Sequence, residues 1–341
     1  VEGPNPHSGN CGHIAAELHD VFMGFISLSC RIGFLVMVLP ACLQARKGEP
    51  AVPVVQAGQI VRFAGFASRF VAARNIDVWL PPGYDARKRY PVLYMHDGQM
   101  LFDSAITWNR QEWRVDETAS RLMGEGLVGP FLVVGIWNSG RTRYADYFPE
   151  KPFSLMSPEA RERVLEVSAA GRYAPLPDRK PNSDAYLRFV VTELKPFIDK
   201  TFSTRTGRDH TWMAGSSMGG LISWYALCEY PDVFGRIACL STHWPGIFTM
   251  DGNTVPEGFF AYLKEKLPRP GRHYMYYDIG NRTLDSLYPP LQARFEVLLR
   301  SKSLVPPRVQ CRIFPGQPHS EQAWAARLGD VLLFLGGNQK R

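Results

Sequence analysis

Residues 215–220 read Gly215-Ser216-Ser217-Met218-Gly219-Gly220 and contain the pattern Gly-x-Ser-x-Gly with Ser217 at its centre. A strand-like run, His210-Thr211-Trp212-Met213-Ala214, precedes it, and a helix-like run, Leu221 to Leu227, follows. A strand that turns sharply into a helix is the setting in which this pattern presents a serine as a nucleophile. Both flanking positions are glycine because a side chain there would collide with the neighbouring strand or helix, and glycine tolerates the unusual backbone angles of such a turn. A helix that starts beside Ser217 also points backbone N–H groups at the reacting centre. An ordinary Gly/Ser-rich turn fits the bare pattern equally well; the strand and helix around it favour the nucleophile.

The chain has 341 residues, 45% of them hydrophobic, enough for a substantial core. Its formal charge of +7 comes from scattered Lys and Arg without a long basic block. That distribution reads as a solvated surface suited to anionic substrates or cell-envelope polymers, and excludes an obvious nucleic-acid partner.

The first 45 residues differ from the rest. Met23 is a candidate start, followed by Arg31, the apolar stretch Ile32 to Leu39, and the small residues around Ala41 and Ala45. A short apolar core ending in small residues suits a cleaved export signal better than a membrane span. The expectation is an exported protein, periplasmic or secreted, with no stable membrane span after processing. Leu39-Pro40-Ala41-Cys42 resembles a lipoprotein box, with Pro40 atypical, so anchoring at Cys42 is an alternative; a buried N-terminal helix is another. Cys11, Cys30 and Cys42 lie in this leader, and Cys228, Cys239 and Cys311 stand in apolar surroundings that favour buried thiols over a disulfide framework. No ligand spacing suggests a metal.

Residues 46–58 are rich in Pro, Gly and Ala and read as a linker to one domain over 59–341. Arg74–Leu80 alternates as a half-buried strand, and 90–96, 131–137 and 236–240 are apolar runs of the buried-strand type. Further strands are expected at 59–63, 273–279 and 309–314, with helices near 110–124, 184–200, 285–301 and 320–335. This alternation predicts an α/β domain with a mostly parallel sheet. Residues 145–182, with several prolines and the aromatics Tyr147, Phe148, Phe153 and Tyr173, read as an irregular insertion, either a lid or a surface excursion.

A serine hydroxyl needs a base, and the base needs a carboxylate to orient its ring. In sheets that carry this turn, the chain order is Ser, Asp or Glu, then His. Of the histidines after Ser217, His273 begins a strand and His243 comes too early. His319, in the loop after the last expected strand, is the candidate base. Asp285, beyond the strand at 273–279, is the candidate acid, with Asp278 as the alternative. Glu321 is expected to face the following helix start. Two backbone amides are expected to stabilise an oxyanion: Met218, next to the nucleophile, and Gln99, in the Asp97-Gly98-Gln99 loop. Asp97 is expected to fix that loop through hydrogen bonds.

Together these residues resemble the putative-esterase family of α/β hydrolases, which includes esterase D-like enzymes, feruloyl esterases, enterobactin esterases and mycolyltransferases. The resemblance covers roughly residues 60–335. It is carried by Trp79-Leu80-Pro81-Pro82-Gly83-Tyr84, His96-Asp97-Gly98-Gln99, Gly135-Ile136 with Arg143-Tyr144, the Ser217 turn, and Gly316 to His319 ahead of Trp324. It implies an α/β-hydrolase fold and a Ser-His-acid esterase without metal or cofactor. Many members carry a glutamate after a Gly-Thr pair; here the sequence is Gly280-Asn281-Arg282-Thr283-Leu284-Asp285.

Trp108, Trp137, Asn138, Arg143, His243 and Trp244 fall on loops expected at the active-site end and are the candidate substrate contacts. Arg143 either holds an anionic substrate or pairs with Asp146 or Glu150. The expected partner is a small-molecule or polysaccharide-linked ester. Acyl transfer to a sugar or lipid hydroxyl uses the same residues, and a non-catalytic carbohydrate- or envelope-binding module is the remaining reading.

Overall fold

The apolar runs assemble into an eight-stranded sheet in the computed structural model, which describes residues 50–170 and 175–337. The strands are β1 (Gln59–Phe66), β2 (Arg74–Leu80), β3 (Val92–His96), β4 (Leu132–Ile136), β5 (Thr211–Ser216), β6 (Arg236–Leu240), β7 (Tyr274–Ile279) and β8 (Val309–Ile313). Their order across the sheet is β1-β2-β4-β3-β5-β6-β7-β8. β2 pairs antiparallel with both β1 and β4, and every pairing from β4 to β8 is parallel. This is the α/β-hydrolase architecture.

β3, β4 and β5 are buried along their whole length because helices cover both faces of the sheet. Alternate residues divide between two cores. Val92, Tyr94 and Met213 face helices Ser183–Phe189, Met218–Glu229, Val255–Lys266 and Pro289–Ser301. Leu93, Met95 and Trp212 face helices Val115–Gly124 and Glu321–Gly336. Helix Met218–Glu229 is buried on every side from Met218 to Cys228, which accounts for its lack of a polar face.

The chain leaves β3 toward β4 on one side and leaves β5 toward β6 on the other. The loops after β3 and β5 therefore diverge, opening a crevice at the carboxyl ends of the strands, where ligands bind in sheets of this type. Ser217 and the Asp97-Gly98-Gln99 loop lie at this divergence.

Residues 145–182 differ from the irregular insertion read in the sequence. Helices Arg143–Tyr147, Glu150–Ser154 and Pro158–Ala169 occupy most of the segment. Pro158 stands at the start of its helix, where the missing N–H costs nothing, and Ser157 caps it by accepting from Ala160 N. Tyr147, Phe148 and Phe153 are buried, Phe148 packs 5.4 Å from Phe259, and the Tyr144 hydroxyl donates to Gly246 O at 2.7 Å. Aromatic burial has drawn the segment into the domain core. Helix Val255–Lys266 is a second element without a clear sequence signal.

Cys228 and Cys239 are buried, Cys311 is half-buried, and all three are free. Burial pushes the Cys311 thiol up to about 12, which leaves it unreactive near neutral pH. Among the described residues no group of His, Cys, Asp and Glu could hold a metal ion, and no helix is long and apolar enough to cross a membrane. The segment 1–45 read as a leader, with Cys42, and Tyr173 lie outside the described residues.

Candidate active site

Ser217 sits between β5 and helix Met218–Glu229 with φ 57° and ψ −120°, a conformation that a non-glycine residue holds only under strain of about 1–3 kcal/mol. The surroundings enforce it. Ser217 N donates to Leu240 O at 2.9 Å, and its carbonyl accepts from Gly220 and Leu221 of the new helix and from His243 N at 3.2 Å. A Cβ on Gly215 would stand 2.7 Å from the backbone of Gly219, and one on Gly220 would stand 2.9 Å from Thr242 Oγ1. The two glycines thus allow strand, turn and helix to touch.

His319 and Asp285 come from the loops after β8 and β7. His319 Nδ1 and Asp285 Oδ1 are 2.5 Å apart, which leaves His319 Nε2 as the nitrogen able to face a nucleophile. The two loops are stapled together. Asn281 N and Arg282 N both donate to Gln317 O at 3.1 Å, Gly316 N donates to Asn281 Oδ1, and His319 N donates to Thr283 Oγ1 at 2.8 Å. A Cβ on Gly280 would lie 2.2 Å from Gln317 O, so this approach requires glycine. The stretch Gly280 to Asp285 therefore uses Asn281 and Thr283 to anchor the His319 loop.

Asp285 is fully buried, and its Oδ2 accepts from the Ser241 hydroxyl and from Gly280 N, each at 2.6 Å. Burial pushes its pKa up, but the bonds and charge of His319 and the bonds from Ser241 and Gly280 outweigh it and hold the carboxyl below its ordinary value. Ser241 in turn accepts from Trp324 Nε1 at 3.0 Å and from an Arg327 guanidinium nitrogen at 2.8 Å. Asp278, the alternative acid, is engaged by another partner: it pairs with Arg327 at 2.8 Å, and burial lifts it to about 6.

The loop after β3 lies against the helix that Ser217 begins, since a Cβ on Gly219 would meet His96 Cβ at 3.3 Å and Asp97 Oδ2 at 3.6 Å. Met218, the first residue of that helix, and Gln99, in the loop after β3, thus lie on neighbouring segments. Asp97 has φ 56°, and Arg143 grips it with two bonds of 2.7 Å while Asn138 Nδ2 donates a third at 2.7 Å. Burial raises the Asp97 pKa, but the Arg143 charge and these bonds more than offset it. Asn138 N also donates to Gln99 Oε1 at 3.2 Å. Asn138 and Arg143 are therefore committed to this loop, and Arg143 pairs with Asp97 where the sequence suggested Asp146 or Glu150.

The other expected substrate contacts separate. Trp108 is exposed. Trp137 donates its indole N–H to Asp77 at 2.7 Å and lies under Arg62, at the β1–β2 side of the sheet. Trp244 does not face the crevice. It is fully buried, stacked at 6.0 Å on Trp224 and 5.9 Å from Phe260, because an apolar indole in this turn gains more from the core than from solvent. His243 is buried too, with Nδ1 2.9 Å from the Tyr288 hydroxyl.

Tyr288, Ser241, Thr283 and Arg327 have no one-dimensional signal as site residues. Tyr288 links the parts: its ring meets His319 edge-on at 5.8 Å, and its hydroxyl lies 2.9 Å from His243 Nδ1. A separate polar cleft of about 560 Å³ lies between Arg110, Glu112, Glu117 and the start of helix Glu321–Gly336; Ser217, Asp285 and His319 do not line it.

Comparison with known proteins bears on the family and the fold. Uncharacterized protein YbbA of Bacillus subtilis is 24% identical over 173 residues, 50% of this chain and 58% of that protein. The endo-1,4-beta-xylanase/feruloyl esterase of Xylanibacter ruminicola is 26% identical over 174 residues, 49% of this chain and 19% of that protein. The chain thus spans less than two thirds of the length of these relatives. Among solved structures, a ferulic acid esterase superposes with a TM-score of 0.57 at 19% identity, covering 82% of this chain and 98% of the other. The enterobactin esterase of Shigella flexneri gives 0.58 at 17% identity, covering 84% and 60%. The profile of the family described as putative esterase matches residues 68–335, most of the chain, and the protein belongs to that family.

Proposed function

We propose that the protein is a serine esterase that hydrolyses carboxylic esters through an acyl-enzyme. The observations that carry this reading are the Asp285–His319 pair, joined at 2.5 Å, and the strained strand-to-helix turn at Ser217. His319 Nε2 takes the proton of Ser217 as Oγ attacks the ester carbonyl, and then delivers it to the leaving alcohol. Asp285 fixes the tautomer and balances the imidazolium. The amides of Met218 and Gln99 receive the oxyanion, and the Arg143–Asp97–Asn138 cluster sets the position of the Gln99 loop. Water, activated by the same histidine, releases the acid.

Aromatic acyl esters are the substrates to test first. Relatives and neighbours include feruloyl esterases, and Phe248 stands half exposed with its ring 5.4 Å from that of His243. The deciding experiment compares wild type with Ser217→Ala on p-nitrophenyl acetate and on methyl ferulate, with circular dichroism to verify folding. The expected result is loss of turnover on both esters in the variant. Wild-type turnover in a folded Ser217→Ala protein would exclude the mechanism.

A further inference from the structure

We propose that Tyr147 is a positioning residue for the reaction: its phenol oxygen accepts the backbone N–H of Asp97 and so sets the direction in which the Gln99 amide, two residues on, is presented to the oxyanion. The inference rests on Ser217 being the nucleophile, and adds to that reading the group that aims its second oxyanion donor.

Asp97 is the pivot of the loop after β3. Its φ of 56° and ψ of 46° lie in the left-handed region, which a residue with a side chain keeps only while its surroundings hold it. Each of its polar groups is held. Its carbonyl accepts from Met100 N at 2.8 Å, its carboxylate is taken by Arg143 and Asn138, and its N–H donates to the Tyr147 hydroxyl at 3.2 Å. The first bond closes the turn that contains Gly98 and Gln99. The Tyr147 bond fixes the peptide that leads out of β3 into that turn. A Cβ on Gly98 would lie 2.5 Å from the backbone of Gly135 in β4, so the loop is already pressed against the sheet. A rotation at Asp97 therefore cannot be absorbed at Gly98 and is passed on to Gln99.

Arg143 and Tyr147 stand one turn apart on helix Arg143–Tyr147 and face the same way. One takes the carboxylate of Asp97 and the other its N–H, so the helix clamps the pivot at two points. The Arg143 guanidinium lies 5.1 Å from the centre of the Tyr147 ring, and that ring packs 5.2 Å from His96 and 5.3 Å from Tyr186. Burial pushes the phenol well above its ordinary range and the charge of Asp97 adds to this, so it stays protonated and accepts through a lone pair. Tyr147 is fully buried. Removing its oxygen leaves the Asp97 N–H facing a ring edge, and an N–H without an acceptor in such surroundings drives the peptide to turn.

Tyr147→Phe tests this, because it deletes the oxygen and keeps the ring. Tyr90→Phe is the matched control. Tyr90 is buried, and its hydroxyl accepts from Asp85 N at 2.9 Å, ahead of β3 where Asp97 follows it. Each variant loses one bond from an aspartate amide to a tyrosine, and each is expected to lower the melting temperature. Tyr147→Phe alone is expected to lower kcat on p-nitrophenyl acetate roughly 5- to 50-fold, with KM within about twofold. It is also expected to weaken a trifluoromethyl ketone, which binds a serine nucleophile as a tetrahedral oxyanion, by the factor lost in kcat/KM. A folded Tyr147→Phe enzyme with kcat within twofold of wild type overturns the proposal, and so does an equal loss of kcat in Tyr90→Phe. In the wild-type protein, hydrogen exchange read by NMR is expected to show the Asp97 amide protected; exchange as fast as that of a free amide overturns the proposal whatever the variants do. An active Ser217→Ala enzyme removes the underlying reading instead, so the two failures are distinct.

Discussion

Asp285 engages His319 and Ser241 with opposite oxygens, Oδ1 to the imidazole at 2.5 Å and Oδ2 to the hydroxyl at 2.6 Å. Its orientation is therefore set from below as well as by the histidine. Asp285→Asn keeps the shape but offers an N–H where an acceptor is needed, favouring the wrong imidazole tautomer. A fall in kcat of about 10³–10⁴-fold with little change in KM is expected. Asp278→Asn is the control. It breaks a buried pair with Arg327 and is expected to cost about 3–5 kcal/mol of stability in denaturant unfolding, while the folded protein stays within roughly tenfold of wild-type kcat. Equal kinetic losses in both variants would remove the distinction between the two aspartates.

Gly215 and Gly219 both border the Ser217 turn but differ in what a methyl group would meet. At Gly215 it strikes helix backbone at 2.7 Å, whereas at Gly219 it meets His96 Cβ at 3.3 Å. Gly215→Ala is expected to lower stability by about 3 kcal/mol or more, and Gly219→Ala by about 1 kcal/mol. Thermal melts of the two variants side by side check the order.

Arg143 holds Asp97 with two parallel bonds, a geometry that lysine cannot reproduce. Arg143→Lys is expected to lower stability by about 1–3 kcal/mol and to lower kcat about tenfold by loosening the Gln99 loop. An unchanged kcat in the folded variant would detach this cluster from the reaction.

His96 and His243 are both buried, and burial lowers each to about 3. A neutral histidine in the folded state that protonates on unfolding loses stability as pH falls below its ordinary 6.5, until it protonates in the folded state near 3. Each contributes a slope of up to about 1.4 kcal/mol per pH unit in that window. Asp278, lifted to about 6, acts in the opposite sense between 3.8 and 6, as do Asp116 at about 6 and Glu112 at about 7 over their own windows. The share of one histidine therefore shows best by difference. The fall in melting temperature from pH 7.5 to pH 5 is expected to be smaller in His96→Gln than in wild type, and an equal fall would refute the assignment.

Much of the frame was legible in the sequence because it is written locally. The expected strand at 74–80 coincides with β2, the strand at 236–240 with β6, and the buried runs at 90–96 and 131–137 with β3 and β4 to within two residues at either end. Chain order placed Asp285 and His319 in neighbouring loops, and the structure pairs them. Contacts between distant segments were hidden. Arg143 finds Asp97 46 residues away, and Tyr288 reaches His243 across 45. Trp244 shows the limit of reading position as exposure: the same turn sends one face toward Ser217 and the indole into the core. The prolines of 145–182 suggested breaks, yet Pro158 starts a helix, and only the burial of Tyr147 and Phe148 reveals that the segment is part of the core.

Ser241 uses all of its bonding capacity, giving its proton to Asp285 and receiving Trp324 and Arg327. Trp324 and Arg327 belong to helix Glu321–Gly336, which immediately follows the loop carrying His319. The loop after β6, the acid and that helix are thus tied into one structural unit. Recombination between two homologues with a crossover between residues 241 and 324 would yield a chain with an intact serine turn and a mismatched support beneath its acid. Such chimeras are expected to keep their sheet and lose activity.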